Sequence, residues 1–194
     1  MKRRAHSPAE VRCEYDGVAP LSGVWLQAVQ YRVALRLKSE LDMLDLEAIE
    51  LIKQLKARYF RFIDVCDLVN LRDKVFAPDA QVHFKSPTYD IKCTGWPELE
   101  KFYGSAFTSQ TFGMHQGHHP EITVTGNTAT GLWYLHDIFV HLDTKTVTEG
   151  SAIYEDEYVK LDGQWRISAS RYVRRLEMIS PLREDVRVTA RPIG

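Results

Sequence analysis

Cysteine is scarce in this chain, net charge is nearly absent, and no long apolar run occurs among its 194 residues. Cys13, Cys66 and Cys93 stand far apart with no C-x-x-C pair, which excludes a disulfide framework and a zinc ribbon and leaves reduced thiols as the expectation. Lys and Arg number 25 against 26 Asp and Glu, so no net field recruits nucleic acid or an anionic membrane. No segment approaches the roughly 18 apolar residues that span a bilayer. The basic start, Met1-Lys2-Arg3-Arg4, is followed by Glu10, Arg12, Glu14 and Asp16 where a signal peptide needs an apolar stretch, so a cytoplasmic location is expected. Internal repeats and low-complexity segments are lacking too. What remains is ordinary globular usage, 44% hydrophobic and 11% aromatic, enough for one core and for a small-molecule pocket.

Residues 1–42 contain Pro8, Pro20, Gly17 and Gly23 and one weakly amphipathic stretch, 25–41. They are expected to be an N-terminal extension, either not native or poorly ordered, because Met43 stands just ahead of the first strongly periodic segment. From residue 44 to about Asp64 the apolar spacing (Leu44, Leu51, Leu55, Phe62 with Ile49, Ile52, Ile63) predicts a long amphipathic helix. A short helix is expected over 67–76, broken by Pro78-Asp79. Strands follow over 80–84 and 89–93 around a Ser86-Pro87 turn, then a helix over 96–107. Four more strands are expected over 113–124, 128–141, 146–161 and 164–174. They are joined by Gly126-Asn127, by 142–145 and by Asp162-Gly163, a favoured hairpin dipeptide. Helices followed by long strands imply an α+β layer arrangement over residues 43–177, with a C-terminal tail from 178 to 194. On the strand around Trp133 both faces are apolar, Ala129, Trp133, Leu135 and Phe139 on one and Leu132, Tyr134, Ile138 and Val140 on the other. The outer face is therefore expected to meet another subunit.

Three histidines, His115, His118 and His119, lie within five residues. In an extended segment His115 and His118 point to opposite faces, and no E-x-x-H or cysteine partner completes a metal set, so proton transfer is preferred to metal ligation. Asp137 sits amid an apolar strand, where an unpaired charge is costly, and must have a partner; a histidine held by such a carboxylate is the usual build of a general base. Tyr59 and Asp64, about one and a half helical turns apart, can both reach one end of a broad pocket, although a core aromatic and a helix-end carboxylate describe them equally well. Phe60, Phe62, Phe84, Phe107, Trp133 and Phe139 could line such a pocket or simply fill a core. Arg171, Arg174 and Arg175 alternate with apolar residues, and one of them could meet a carboxylate or an anionic substrate tail.

Taken together, Lys56-Ala57-Arg58-Tyr59-Phe60-Arg61 with Asp64, Met114-His115-Gln116-Gly117-His118 with Pro120-Glu121-Ile122, and Thr128-Ala129-Thr130-Gly131-Leu132-Trp133-Tyr134 with Asp137 resemble the SnoaL-like branch of the nuclear-transport-factor-2-like superfamily. Asp162-Gly163-Gln164-Trp165 and Tyr172-Val173-Arg174 extend the likeness. Within that branch the chain resembles bile acid 7α-dehydratase and scytalone dehydratase. The resemblance implies a cone-shaped α+β barrel whose curved, mixed, mostly antiparallel sheet wraps a long N-terminal helix. It also implies a cofactor-independent dehydratase without metal, acting on a small apolar hydroxylated substrate, steroid-like or polycyclic, free or as a CoA thioester. A double-bond isomerase and a non-catalytic binding or assembly domain are the alternatives. Residue by residue it makes Tyr59, His115 and Asp137 catalytic, with Asp137 holding His115. Asp64, Arg174, Phe84, Trp133 and His118 are cast in support or substrate binding, and a homo-oligomer is implied, a trimer before a dimer. Phe84 stands where those dehydratases carry a second pocket tyrosine. For His115 to share the inner face with Ile122 and Val124, the strand must contain a bulge between Gly117 and Pro120.

Overall fold

In the computed structural model, which describes residues 30–32 and 45–189, the chain enters the domain through a helix whose start is set by Asp45, its carboxylate accepting the backbone N–H of Ala48 at 2.9 Å. This helix, α1 (Leu46–Asp64), buries Ala48, Ile52, Leu55, Lys56, Tyr59, Phe60 and Ile63, a stripe at helical spacing. Cys66, in a left-handed conformation (φ 56°), turns the chain into α2 (Leu68–Lys74), capped by Asp67. The strands β1 (Phe76–Lys85) and β2 (Asp90–Thr94) form a hairpin, followed by α3 (Trp96–Ala106). Then come β3 (Thr111–Thr125), β4 (Thr128–His141), β5 (Thr146–Leu161) and β6 (Gln164–Pro181).

The six strands form one curved sheet in the order β2-β1-β6-β5-β4-β3, antiparallel throughout except where β1 runs parallel to β6. The mixed α+β layout expected from the sequence is therefore present. The sheet does not close into a barrel, because β2 and β3 remain edges; α1 covers the inner side beside β3. At the β5–β6 hairpin Asp162 and Gly163 both have positive φ (49° and 77°), the backbone that a tight two-residue turn with the right twist requires.

Two predicted boundaries move. Pro78-Asp79 does not separate a helix from a strand: β1 already starts at Phe76 and carries the proline through an irregularity in its pairing with β6, where a missing N–H is tolerated. β6 does not stop at Arg174 but continues to Pro181, which pairs with Thr146, so residues 178–181 of the expected tail belong to the sheet. The expected extension over residues 1–42, with its helix over 25–41, lies outside the described residues except for 30–32, which are helical.

Two bulges re-aim side chains. In β3 the register slips between His118 and Glu121, with His119 at φ 51°, and the slip puts His115, Gly117, Ile122 and Val124 on the inner face, as the sequence required. In β6, Ala152 pairs with Arg174 and Ser151 with Leu176, so Arg175 is the extra residue. Arg174 and Glu177 thereby both turn inward, although three residues apart on a regular strand would place them on opposite faces. On the outer face Leu132, Tyr134 and Val173 stand exposed.

Candidate active site

Between α1, α3 and the inner face of the sheet lies a cavity of about 330 Å³. Its apolar wall includes Ile63, Phe84, Ile91, Phe102, Phe107 and Phe139, and its polar groups include five tyrosines (Tyr59, Tyr89, Tyr103, Tyr154, Tyr172) with His115, Asp137, His141, Arg174, Thr88, Thr148 and Glu177.

His115 is held by Asp64. Its Nδ1 lies 2.6 Å from Asp64 Oδ1, and its backbone N–H donates to Asp64 Oδ2 at 3.2 Å. With Nδ1 committed, Nε2 is the ring nitrogen left for a ligand. The ring stacks on Phe60 at 5.8 Å with a 9° interplanar angle and meets the edge of Phe139 at 5.1 Å, so its side chain is only 5% exposed. The flanking inner-face residues are both glycine for a spatial reason. A Cβ on Gly117 would sit 2.3 Å from Phe60, the ring that stacks on His115, and one on Gly113 would press on Asp64 and Phe107 at 3.3 Å. The motif Gly113-Met114-His115-Gln116-Gly117 therefore encodes the room that the imidazole's neighbours occupy.

Asp137 does not hold His115, although the two are register partners across β3 and β4. Its carboxylate takes a two-point bond from Arg174, Nη1 at 2.5 Å and Nη2 at 2.6 Å, with both side chains almost fully buried. Gly150 of β5 lies between them. A Cβ there would come within 2.7 Å of Arg174 Nη1, so only glycine lets the guanidinium reach across the strand. Burial opposes the charge on Arg174, yet the hydrogen bonds and charge of Asp137 outweigh it and hold its pKa above the usual guanidinium value. Arg174 Nε also donates to the Tyr89 hydroxyl at 3.0 Å. Of the two partners the sequence allowed it, a carboxylate or an anionic substrate tail, Arg174 has the carboxylate, and so occupied its guanidinium is not a free fork for an acidic substrate group. The sequence expectation fails over the histidine's partner because strand adjacency brings Asp137 near His115, but a permanently charged, buried arginine needs the carboxylate more.

Two sets of phenols face each other. The Tyr59 and Tyr103 hydroxyls are 3.1 Å apart, and those of Tyr89 and Tyr172 are 2.8 Å apart. Burial raises the pKa of Tyr59, Tyr103, Tyr154 and Tyr172, so these phenols stay protonated and able to donate. Phe84 lines the cavity and stacks on Tyr172 at 4.4 Å. Next door to the hydroxyl missing at position 84 stand those of Tyr172 and Tyr89; the sequence placed both on strands, but gave no sign that they face this cavity.

Other expected site residues lie elsewhere. His118 is exposed on the outer face, its Nδ1 2.8 Å from that of His119 and its ring stacked on Tyr134, because the side chains of β3 alternate. Trp133 faces inward but away from the cavity; its Nε1 donates to the Tyr158 hydroxyl at 2.8 Å, part of a buried network that the sequence reading missed. There Asp156 receives Lys56 Nζ at 2.7 Å, Tyr158 at 2.8 Å and Ser170 at 2.7 Å. Lys56 Nζ lies 3.5 Å over the Tyr154 ring, and burial lowers its pKa despite Asp156. Phe60 and Phe62 also fall outside the cavity lining. Among the described residues no group of three or more His, Cys, Asp or Glu side chains is arranged to hold a metal ion.

An open curved sheet, a long helix across its inner side and a polar-tipped apolar cavity define a domain of the nuclear-transport-factor-2-like type. Residues 44–171 match the model of the SnoaL-like domain, and the chain belongs to that family. Among solved structures it is similar to a provisionally assigned scytalone dehydratase from Novosphingobium aromaticivorans, at 21% identity and TM-score 0.62, covering 77% of this chain and 95% of that one. A hexachlorocyclohexane dehydrochlorinase from Novosphingobium barchaimii matches at 16% identity and TM-score 0.62, covering 78% and 99%. A nuclear-transport-factor-2-like protein from Salmonella enterica matches at 23% identity and TM-score 0.54, covering 62% and 86%. At these identities the likeness is one of fold.

Proposed function

We propose that this protein is a hydro-lyase that removes water from a small hydroxylated ring compound by general acid–base catalysis at His115. The observation that carries the reading is a buried imidazole with one nitrogen fixed by Asp64 and the other without a hydrogen-bond partner among the described residues, at a cavity walled by protonated phenols. In the reaction, His115 Nε2 takes a proton from the carbon next to a carbonyl, and the electrons of the broken C–H bond pass to an enolate. Asp64 stabilises the imidazolium, as a carboxylate does for a positioned base. Tyr59 or Tyr103 donates to the enolate oxygen, each such donor being worth about 3 kcal/mol in a water-poor site. The enolate then re-forms the carbonyl, the carbon–oxygen bond of the β-hydroxyl breaks, and His115 returns the proton, so that water leaves.

The volume supports a modest substrate. An apolar cavity of about 150 Å³ accepts one benzene ring, so 330 Å³ accommodates about two fused six-membered rings, with anything larger reaching out of the mouth. Two rings fit better than the four of a steroid. The relatives named above as a scytalone dehydratase and a dehydrochlorinase point to elimination as the reaction class for this chain. A mass-spectrometric screen of bicyclic and steroidal β-hydroxy ketones, free and as CoA thioesters, should show loss of water from a bicyclic member. Rearrangement without mass loss would favour a double-bond isomerase, and binding without any change would favour a carrier. Self-association through the outer face bearing Leu132, Tyr134 and Val173 belongs to the same reading, and sedimentation should give a homo-oligomer, a trimer before a dimer.

A further inference from the structure

The cavity sets two carboxylates, Asp137 and Glu177, against the single guanidinium of Arg174. Arg174 spends both terminal nitrogens on Asp137 and its Nε on Tyr89. Glu177, turned inward by the bulge at Arg175, lines the same cavity with its side chain 10% exposed, and its Oε2 pairs with the charge of Arg174 at 3.6 Å from Nε, a distance too long for a hydrogen bond. Its Oε1 is anchored by the Thr88 hydroxyl at 2.9 Å and more weakly by Ser86 Oγ at 3.4 Å. Ser86 is itself fixed, accepting from the backbone N–H of Thr88 at 3.0 Å and of Tyr89 at 3.3 Å, so the carboxylate is tethered to the β1–β2 turn. One oxygen is therefore held in place, and the other has no hydrogen-bond donor among the described residues.

We infer that Glu177 sets the charge selectivity of this cavity: it receives a neutral ligand that offers a hydroxyl donor to Oε2 and rejects ligands that carry an anion into the cavity. The inference rests on the reading of the cavity as the substrate site. It adds to that reading that the substrate is a neutral alcohol or phenol, not a carboxylic acid. The physical reason is that a second anion beside Glu177 would lose its water without gaining a guanidinium, since Asp137 has already claimed the fork. A hydroxyl can donate to the open lone pair of Oε2 without bringing a second charge beside it. His141, at the same cavity, is the one other basic group there besides His115 and Arg174.

The test uses two probes of the same shape, 2-naphthol and 2-naphthoate. Neither undergoes elimination, so their binding reads charge selection independently of catalysis, while the water-loss screen judges the reaction. Calorimetric titration of the full-length protein is done at pH 8, where an ordinary imidazole is uncharged. The wild type should bind 2-naphthol at least about tenfold more tightly than 2-naphthoate, the scale of one like-charge contact in a partly buried site. E177Q keeps an acceptor for Thr88 and removes the charge, so it should raise naphthoate affinity about tenfold and close the gap. T88V, which releases the carboxylate from its tether while keeping its charge, should weaken naphthol by a few-fold. Equal affinity of the two probes for the wild type, no binding of naphthol, or an unchanged ratio in E177Q would each overturn the assignment.

Discussion

Asp64 and Asp137 each hold a basic side chain at the cavity, but they do so in opposite settings. Asp64 ends a helix with its side chain 22% exposed and bonds a ring that can gain and lose a proton. Asp137 is 2% exposed in mid-strand and grips a guanidinium that cannot lose one. A carboxylate that serves a titrating partner must tolerate that partner when neutral, and access to water at Asp64 makes this cheap. A buried arginine has no neutral form to retreat to, so its partner has to be a two-point, fully enclosed carboxylate. One pair is built for change, the other for permanence.

The comparison can be broken most directly at the base. H115A should lower kcat by about 100- to 10,000-fold in protein that still folds, despite the packing lost against Phe60 and Phe139, and D64N should lower it by about 100-fold, because both impair proton transfer. Loss of stability in place of loss of rate would make His115 structural. On the other side, D137A should cost about 3–5 kcal/mol in urea unfolding, since it strands a buried Arg174, whereas D64N should cost about 1–2 kcal/mol. Similar costs for the two aspartates would erase the distinction. G117A drives a methyl into Phe60 and should cost about 1–3 kcal/mol, with a rise in KM as the ring stacked on His115 is pushed aside. The smallest effect is expected at the phenols: Y89F removes the hydrogen bonds to Arg174 and to Tyr172 and should cost about 1–2 kcal/mol of stability with little change in kcat.

Much of the fold was legible because local chemistry states it. The long helix ending at Asp64, the Asp162-Gly163 turn and the alternation along β4 each follow from a period or a dipeptide and are present in the structure, although of the apolar positions read along that helix only Ile52, Leu55 and Ile63 are buried. The bulge between Gly117 and Pro120 was legible too, because without it His115 and Ile122 could not share a face. Residues of the site were found by type and by resemblance. Their pairings were not: His115 and Asp137 really are cross-strand neighbours, and the sequence holds no distance between Asp64, at the end of α1, and the middle of β3. Gly113 and Gly117 were the available signal that something bulky crowds His115 from the helix side.

The amino-acid order by itself determined the alternation of helix and strand, the inward set of side chains on β3 and β4, and the presence of a histidine, carboxylates and aromatics for a pocket. These follow from periodicity and turn chemistry, which act over a few residues. Only the tertiary structure decided that the sheet stays open and that Asp64 takes His115 while Arg174 takes Asp137 across Gly150. It also decided that an extra residue at 175 swings Glu177 into the cavity. Those outcomes are set by which buried charge most needs a partner once distant segments meet, and that competition exists only in the folded chain.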